Sequence, residues 1–176
     1  MRITNIIWMF LLLTSMGATA FVPGDNCCSY DKNGCKDGLW VERLSENLTK
    51  IVHYSHGEEN GIVRVLNTLS NQLYIIGEMH NGEMCGTWLY FDDENNLLMK
   101  CEDFHKKNTR IPSSHNYSVK CAPRNCYCTL YYSNGRIKER GRLFFFEDPQ
   151  MDDSGEYGIW ELFDTEGVLI KTVKYE

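Results

Sequence analysis

The chain has 176 residues, of which 43% are hydrophobic, and carries 18 Lys+Arg against 24 Asp+Glu for a formal net charge of −6. That length fits one domain after removal of a leader. The acidic balance excludes a binder that neutralises phosphates through a basic patch, and it disfavours docking on an anionic membrane surface.

Residues 1–20 read as an export signal. Arg2 supplies a positive start, Ile6 to Leu13 an apolar run, and Ala18-Thr19-Ala20 a small-residue cleavage site. No stretch approaches the about 20 apolar residues needed to span a bilayer, so the mature chain is expected to lack an integral membrane segment. The expected location is periplasmic or secreted, with cleavage near Ala20.

Residues 21–37 follow as a polar cap with Pro23-Gly24, Cys27-Cys28 and Asn33-Gly34, pinned by disulfides over the first of a series of repeats. The repeated device is Gly, three residues, Gly, then an apolar residue two places on. It reads Gly34/Gly38/Trp40, Gly57/Gly61/Val63 and Gly82/Gly86/Trp88, and a looser copy, Gly155/Gly158/Trp160, lies near the end. The first three leading glycines are 23 and then 25 residues apart, a period typical of hairpin repeats. The glycines are expected at hairpin junctions, where the backbone needs unusual angles. Each Trp is expected at a strand start, covering the glycine before it.

Residues 38–105 form the first block of hairpins. Ile62, Arg64 and Leu66 alternate with Val63 and Val65, the period of a strand, and Asn67 to Asn71 supplies a turn. Thr87 to Phe91 and Leu97 to Cys101 flank a polar Asp92–Asn96 corner. Residues 106–128 break the pattern as a Cys-rich insertion. In residues 129–176 the repeat resumes with Leu130-Tyr-Tyr132, the turn Ser133-Asn134-Gly135, the strand Leu143 to Phe146, and Ile159 to Phe163 turning back at Gly167. No sustained helical stripe occurs. The expected fold is all-β, built of stacked antiparallel hairpins in an elongated twisted sheet.

The eight cysteines, Cys27, Cys28, Cys35, Cys85, Cys101, Cys121, Cys126 and Cys128, are an even number in an exported chain and are expected to form disulfides. Sequence leaves their connectivity open. Cys85 and Cys101 flank one hairpin and can face each other across it. Cys126 and Cys128 point the same way on a strand, and Cys27 and Cys28 should bridge elsewhere rather than to each other.

Signals for chemistry are sparse. His53 and His56, three apart on a strand, point to opposite faces, so a metal site is not expected there. Cys121 with Cys126 and Cys128 would suit zinc in the cytosol, but export favours disulfides. No position fixes a thiol beside His105 or His115 as a nucleophile. His80 carries no motif of its own. The acidic clusters Asp92-Asp93-Glu94, Glu147-Asp148 and Asp152-Asp153 sit at turn tips, where they serve solubility or edge protection. Asn47 and Asn116 head glycosylation sequons. No catalytic residue, cofactor or metal is expected.

The glycine device, the Trp two residues later, an aromatic pair, the Asp/Asn/Gly corners and the Leu-x-Lys returns together resemble the bacterial variant of the MORN repeat, over roughly Gly34 to Phe104 and Cys128 to Tyr175. In that family each unit is a β-hairpin that stacks on the next, which implies five hairpins here. Val63 in place of Trp and the insertion at 106–128 depart from the family pattern. The resemblance implies a non-catalytic protein that binds a protein partner in an antitoxin-like manner. A structural cell-envelope protein is the alternative, and a hydrolase using carboxylates such as Asp152 and Asp153 is a third.

Overall fold

A computed structural model describes residues 27–106, 124–145 and 154–175. The leader and most of the Cys-rich insertion, Cys121 included, lie outside the described residues. The protein is all-β: the described residues hold twelve strands and no helix, and the strands pair antiparallel. None of them forms a helix long and apolar enough to cross a membrane. The strands fall into two compact units, the first ending at Leu97 and the second starting at Leu98.

The N-terminal unit contains β1 (Ser29–Tyr30), β2 (Lys36–Arg43), β3 (Leu48–Ser55), β4 (Glu58–Glu59), β5 (Gly61–Asn67), β6 (Leu73–His80) and β7 (Glu83–Phe91). They pair in the order β1-β2-β3-β5-β6-β7, with β4 also on β3. The register sets Trp40 opposite Val52, Lys50 opposite Val65, Val63 opposite Gly77 and Ile75 opposite Tyr90. Because side chains alternate along a strand, these residues share one face, and Trp40, Val52, Val63, Val65, Ile75, Trp88 and Tyr90 are all buried on it. The valine at position 63 therefore does the work of the expected Trp: it is core.

The C-terminal unit contains β8 (Leu97–Lys106), β9 (Arg124–Tyr131), β10 (Ile137–Phe145), β11 (Ser154–Phe163) and β12 (Leu169–Tyr175), paired in chain order. Met99 faces Leu130, Cys101 faces Cys128, Cys128 faces Gly141 and Cys126 faces Leu143. These residues are the unit's buried face. The end of the expected insertion is thus not loop, because β9 begins at Arg124 and carries both Cys126 and Cys128 into the sheet.

The two glycines of the repeated device do different jobs. The leading ones of the first three copies sit in corners, whereas Gly155 of the looser copy lies within β11 opposite Phe144. His56-Gly57 (φ 52° and 89°) and Asn81-Gly82 (φ 50° and 74°) form two-residue hairpin turns that need positive φ at both positions, and Gly34 N–H donates to the Asp31 carbonyl at 3.0 Å in the first corner. Gly57 and Gly82 also reach back one unit: Gly57 N–H donates to the Lys36 carbonyl at 2.8 Å, and Gly82 N–H to the Glu59 carbonyl at 2.9 Å. The period is therefore the distance from one turn to the next. At Asp164–Val168 the reading of a type I turn closed by a left-handed residue holds, with Gly167 at φ 86° and its N–H donating to the Asp164 carbonyl at 3.0 Å.

The second glycines correct the expectation of hairpin junctions. Gly38 lies within β2 opposite Tyr54, Gly61 opens β5, Gly86 lies within β7, and Gly158 lies within β11 opposite Tyr175. Each keeps a positive φ inside or at the start of a strand, 78° at Gly38 and 70° at Gly158. At Gly86 and Gly158 the reason is a bulge. The register skips so that Gly86, Thr87 and Trp88 stand against Gly77 alone, and Gly158, Ile159 and Trp160 against Gly141 alone. A left-handed residue starts such a kink, and glycine adopts that angle without strain. Trp40, Trp88 and Trp160 accordingly lie inside strands and not at their starts.

The tryptophans cover glycines, but not those of the repeated device. A methyl group at Gly77 in β6 would lie 2.0 Å from Cδ2 of Trp88, and one at Gly141 in β10 would lie 2.4 Å from Cδ2 of Trp160. By contrast a methyl group at Gly158 meets open space, and one at Gly38 meets the Ser29 hydroxyl rather than an indole. The bulge aims each ring across to the neighbouring strand, where any side chain would displace it. The indole N–H is satisfied in place: that of Trp88 donates to the carbonyls of Glu78 and Cys85, and that of Trp160 to the carbonyl of Arg142 at 2.9 Å. Trp40 has Val52 opposite and is packed instead edge-on against Tyr30 and Tyr54, with the Lys36 ammonium 4.6 Å from its ring centre.

Candidate functional site

Three cysteines converge on the buried face of the C-terminal unit. Cys101 enters from β8, and Cys126 and Cys128 from β9, two residues apart and so on the same side. They are 1%, 2% and 0% exposed. The Cys101 and Cys128 sulfurs are 2.7 Å apart, those of Cys126 and Cys128 are 3.4 Å apart, and all three lie within 4.8 Å of one another. Among the described residues this is the group of three metal-capable side chains that comes together.

The thiols differ in acidity. Hydrogen bonds from Cys101 and Cys128 hold the Cys126 thiol well below its ordinary pKa against the effect of burial, and the charge of Arg142 adds to this. Burial pushes Cys101 and Cys128 well above theirs. The three neighbours thus push one another's acidities in opposite directions, Cys126 down and the other two up.

The expected disulfide stapling is corrected. Among the described residues Cys27, Cys28, Cys35, Cys85, Cys101, Cys126 and Cys128 are not disulfide-bonded. Cys101 and Cys128, at 2.7 Å, stand wider than the about 2.0 Å of a disulfide bond. Register is the cause. Cys101 lies opposite Cys128 rather than engaging Cys85, and the Cys85 thiol faces the Glu78 carbonyl at 3.5 Å within the N-terminal unit. Three cysteines share one spot where pairwise stapling requires two.

The other polar residues singled out by sequence serve the corners and strand ends. Asp92 accepts the backbone N–H of Glu94 and Asn96, and its pKa is lowered chiefly by the Asn96 side chain. Asp93 accepts the Tyr74 hydroxyl at 2.6 Å. His56 is bonded to Asp31 at 3.1 Å, which raises the imidazole and helps lower the carboxyl, while His53 is exposed on β3. His80 is the last residue of β6 and exposed. His105 pairs with Asp103 at 2.7 Å. Glu147, Asp148, Asp152, Asp153, His115 and Asn116 lie outside the described residues.

Sequence reasoning missed an ionic cluster on the buried face of the N-terminal unit. Lys50 is 1% exposed and pairs with Glu59 and, at 3.2 Å, with Glu42, which Lys36 also meets. The Tyr54 hydroxyl donates to Glu42 at 3.0 Å and to Glu59 at 3.2 Å. Burial alone would raise Glu42, but Lys50 and Lys36 outweigh it and leave the carboxyl below its ordinary value. Tyr54 is pushed far up by burial and the two carboxylates. The only signal in sequence was the strand alternation, which places Lys50 in line with Val52 and Tyr54.

One surface is open. β12 ends the C-terminal unit and, among the described residues, pairs only with β11. Around it Ile159, Val168, Leu169 and Ile170 are 64%, 60%, 49% and 65% exposed, the densest run of exposed apolar side chains among the described residues. No family model matches the chain, and neither a curated protein nor a solved structure matches it.

Proposed function

We propose that the protein is an exported, non-catalytic module of MORN-like hairpins that binds a protein partner at its C-terminal edge. The observation that carries this reading is β12: a seven-residue strand that among the described residues pairs on one side only, flanked by exposed Ile159, Val168, Leu169 and Ile170. An open strand offers unpaired N–H and C=O groups to an extended segment of another chain, and apolar side chains beside it add area and register. Lys171 and Lys174 stand on the same strand, a common protection against indiscriminate pairing that also favours an acidic partner strand. In the antitoxin-like form that the MORN resemblance suggests, the partner is a toxin.

The test is capture of one protein from the envelope fraction by the tagged chain, compared with the double variant Leu169→Lys/Ile170→Lys. Both positions are exposed, so the variant should fold with stability within about 0.5 kcal/mol of wild type. Loss of the captured protein with unchanged melting supports the edge as the binding surface. Equal capture by wild type and variant overturns it.

A further inference from the structure

We propose that Cys101, Cys126 and Cys128 form a three-thiolate site for a thiophilic d10 metal ion, cuprous copper or zinc. The case rests on convergence. Two adjacent strands deliver three sulfurs to one buried spot, with Cys128 central and in contact with both of its neighbours. A disulfide would use two of these sulfurs and leave the third as a buried bystander. A metal uses all three, and soft sulfur ligands select such ions.

The dimensions suit that occupant. A metal bonded about 2.3 Å from each sulfur sets them about 4 Å apart in a trigonal arrangement. The Cys128 sulfur, 2.7 Å from that of Cys101 and 3.4 Å from that of Cys126, must swing away from both by side-chain rotation to reach that spacing. The surroundings are dry and tightly held. Cys126 faces Leu143, Cys128 faces Gly141 beneath Trp160, and Met99 and Leu130 occupy the next position along the two strands. Binding is a simple exchange: metal–sulfur bonds form as the thiol protons leave to solvent, with no change of oxidation state. Arg142, paired with Asp103 and bonded to Asn125, holds a positive charge near the electron-rich cluster.

Cuprous copper is favoured over zinc by coordination number. Structural zinc takes four ligands, and a three-ligand zinc site keeps an open position for water. Burial of all three cysteines leaves no such opening here. The site stands apart from the β12 edge and survives failure of the edge proposal.

The test loads the reduced full-length chain separately with cuprous copper under reductant and with zinc, followed by native mass spectrometry and thiol alkylation mapping. Expected is one metal per chain, with Cys101, Cys126 and Cys128 resisting alkylation longer in the loaded chain than in the metal-free one, where burial alone protects them, while Cys35 and Cys85 react alike in both. X-ray absorption at the bound metal should show sulfur neighbours alone for copper, and the zinc arm should bind more weakly. Cys126→Ser should bind at least about tenfold more weakly, whereas Cys85→Ser should bind as wild type. Shielding in the wild-type chain needs no variant, so a misfolded mutant does not blunt the test. Loss of two mass units with a Cys101–Cys128 bridge under reductant, no metal retained, or equal retention by Cys126→Ser would each overturn the site.

Discussion

The two units run the same scaffold with different fillings. In each, antiparallel strands turn at short corners, and one indole lies on a glycine of the adjacent strand, Trp88 on Gly77 and Trp160 on Gly141. What occupies the rest of the buried face differs. The N-terminal unit buries Lys50 between Glu42 and Glu59 beneath Tyr54, whereas the C-terminal unit buries three thiols. The shared indole–glycine pair therefore belongs to the architecture. The ionic cluster and the thiol cluster are what each unit adds to it.

The largest effects should come from the shared element. Trp88→Ala or Trp160→Ala removes a side chain 2% or 1% exposed and leaves the bare glycine strand beneath it uncovered. Each should cost about 3–5 kcal/mol in denaturant unfolding. If one costs much less than the other, the two pairs are not equivalent and the common architecture is broken as an idea. Lys50→Met tests the N-terminal filling. It leaves Glu42 and Glu59 facing each other beside Tyr54, and should cost about 3 kcal/mol because a buried charge pair is broken from one side. Adding Glu59→Gln should recover part of that loss. No recovery would mean that Lys50 contributes packing rather than charge.

Glycine substitutions sharpen the comparison at smaller scale. Gly77→Ala and Gly141→Ala each place a methyl group inside an indole, so a cost of about 1–3 kcal/mol is expected from overpacking. Gly82→Ala meets open space but must hold φ near 74°, which costs about 1–2 kcal/mol. Thermal melting of the three side by side checks the order. A larger loss at Gly82 than at Gly77 would move the weight from the covered strand to the turn.

These substitutions also mark what sequence could and could not reveal. Gly57 and Gly82 announced the turns because positive φ is a local demand, legible from two or three neighbours. The alternation at Ile62 to Leu66 announced a strand for the same reason. Gly86 and Gly158 announced the same backbone angle but not its setting, since a bulge exists only against a partner strand and a turn does not need one. Gly77 and Gly141 went unnoticed as indole platforms because nothing local marks them. Their role is set by the bulge in the strand beside them. The thiol trio was hidden likewise. Cys126-x-Cys128 was legible as one-sided, but bringing Cys101 opposite Cys128 depends on pairing across the intervening insertion, which composition does not encode. Counting eight cysteines in a chain with an expected export signal pointed to pairs, and register made a trio.

The smallest expected effect, and the one that separates the units most cleanly, is the response to acid. Glu42 has its carboxyl held below the ordinary value by Lys50 and Lys36. Its folded pKa is below its unfolded one, so its stabilisation is present above the unfolded value of about 4.3 and is lost as pH falls through the folded pKa. In the C-terminal unit Asp103, beside Arg142 and His105, is lowered too, but that carboxylate is 44% exposed and water screens the pair. Hydrogen exchange between neutral pH and about pH 3 should therefore show β2 and β3 amides losing protection first, with β9 and β10 following later. Glu42→Gln should flatten the early loss while leaving the C-terminal strands unchanged. Were β9 and β10 to open first, the filling of the C-terminal unit and not the ionic cluster would be the acid-labile one.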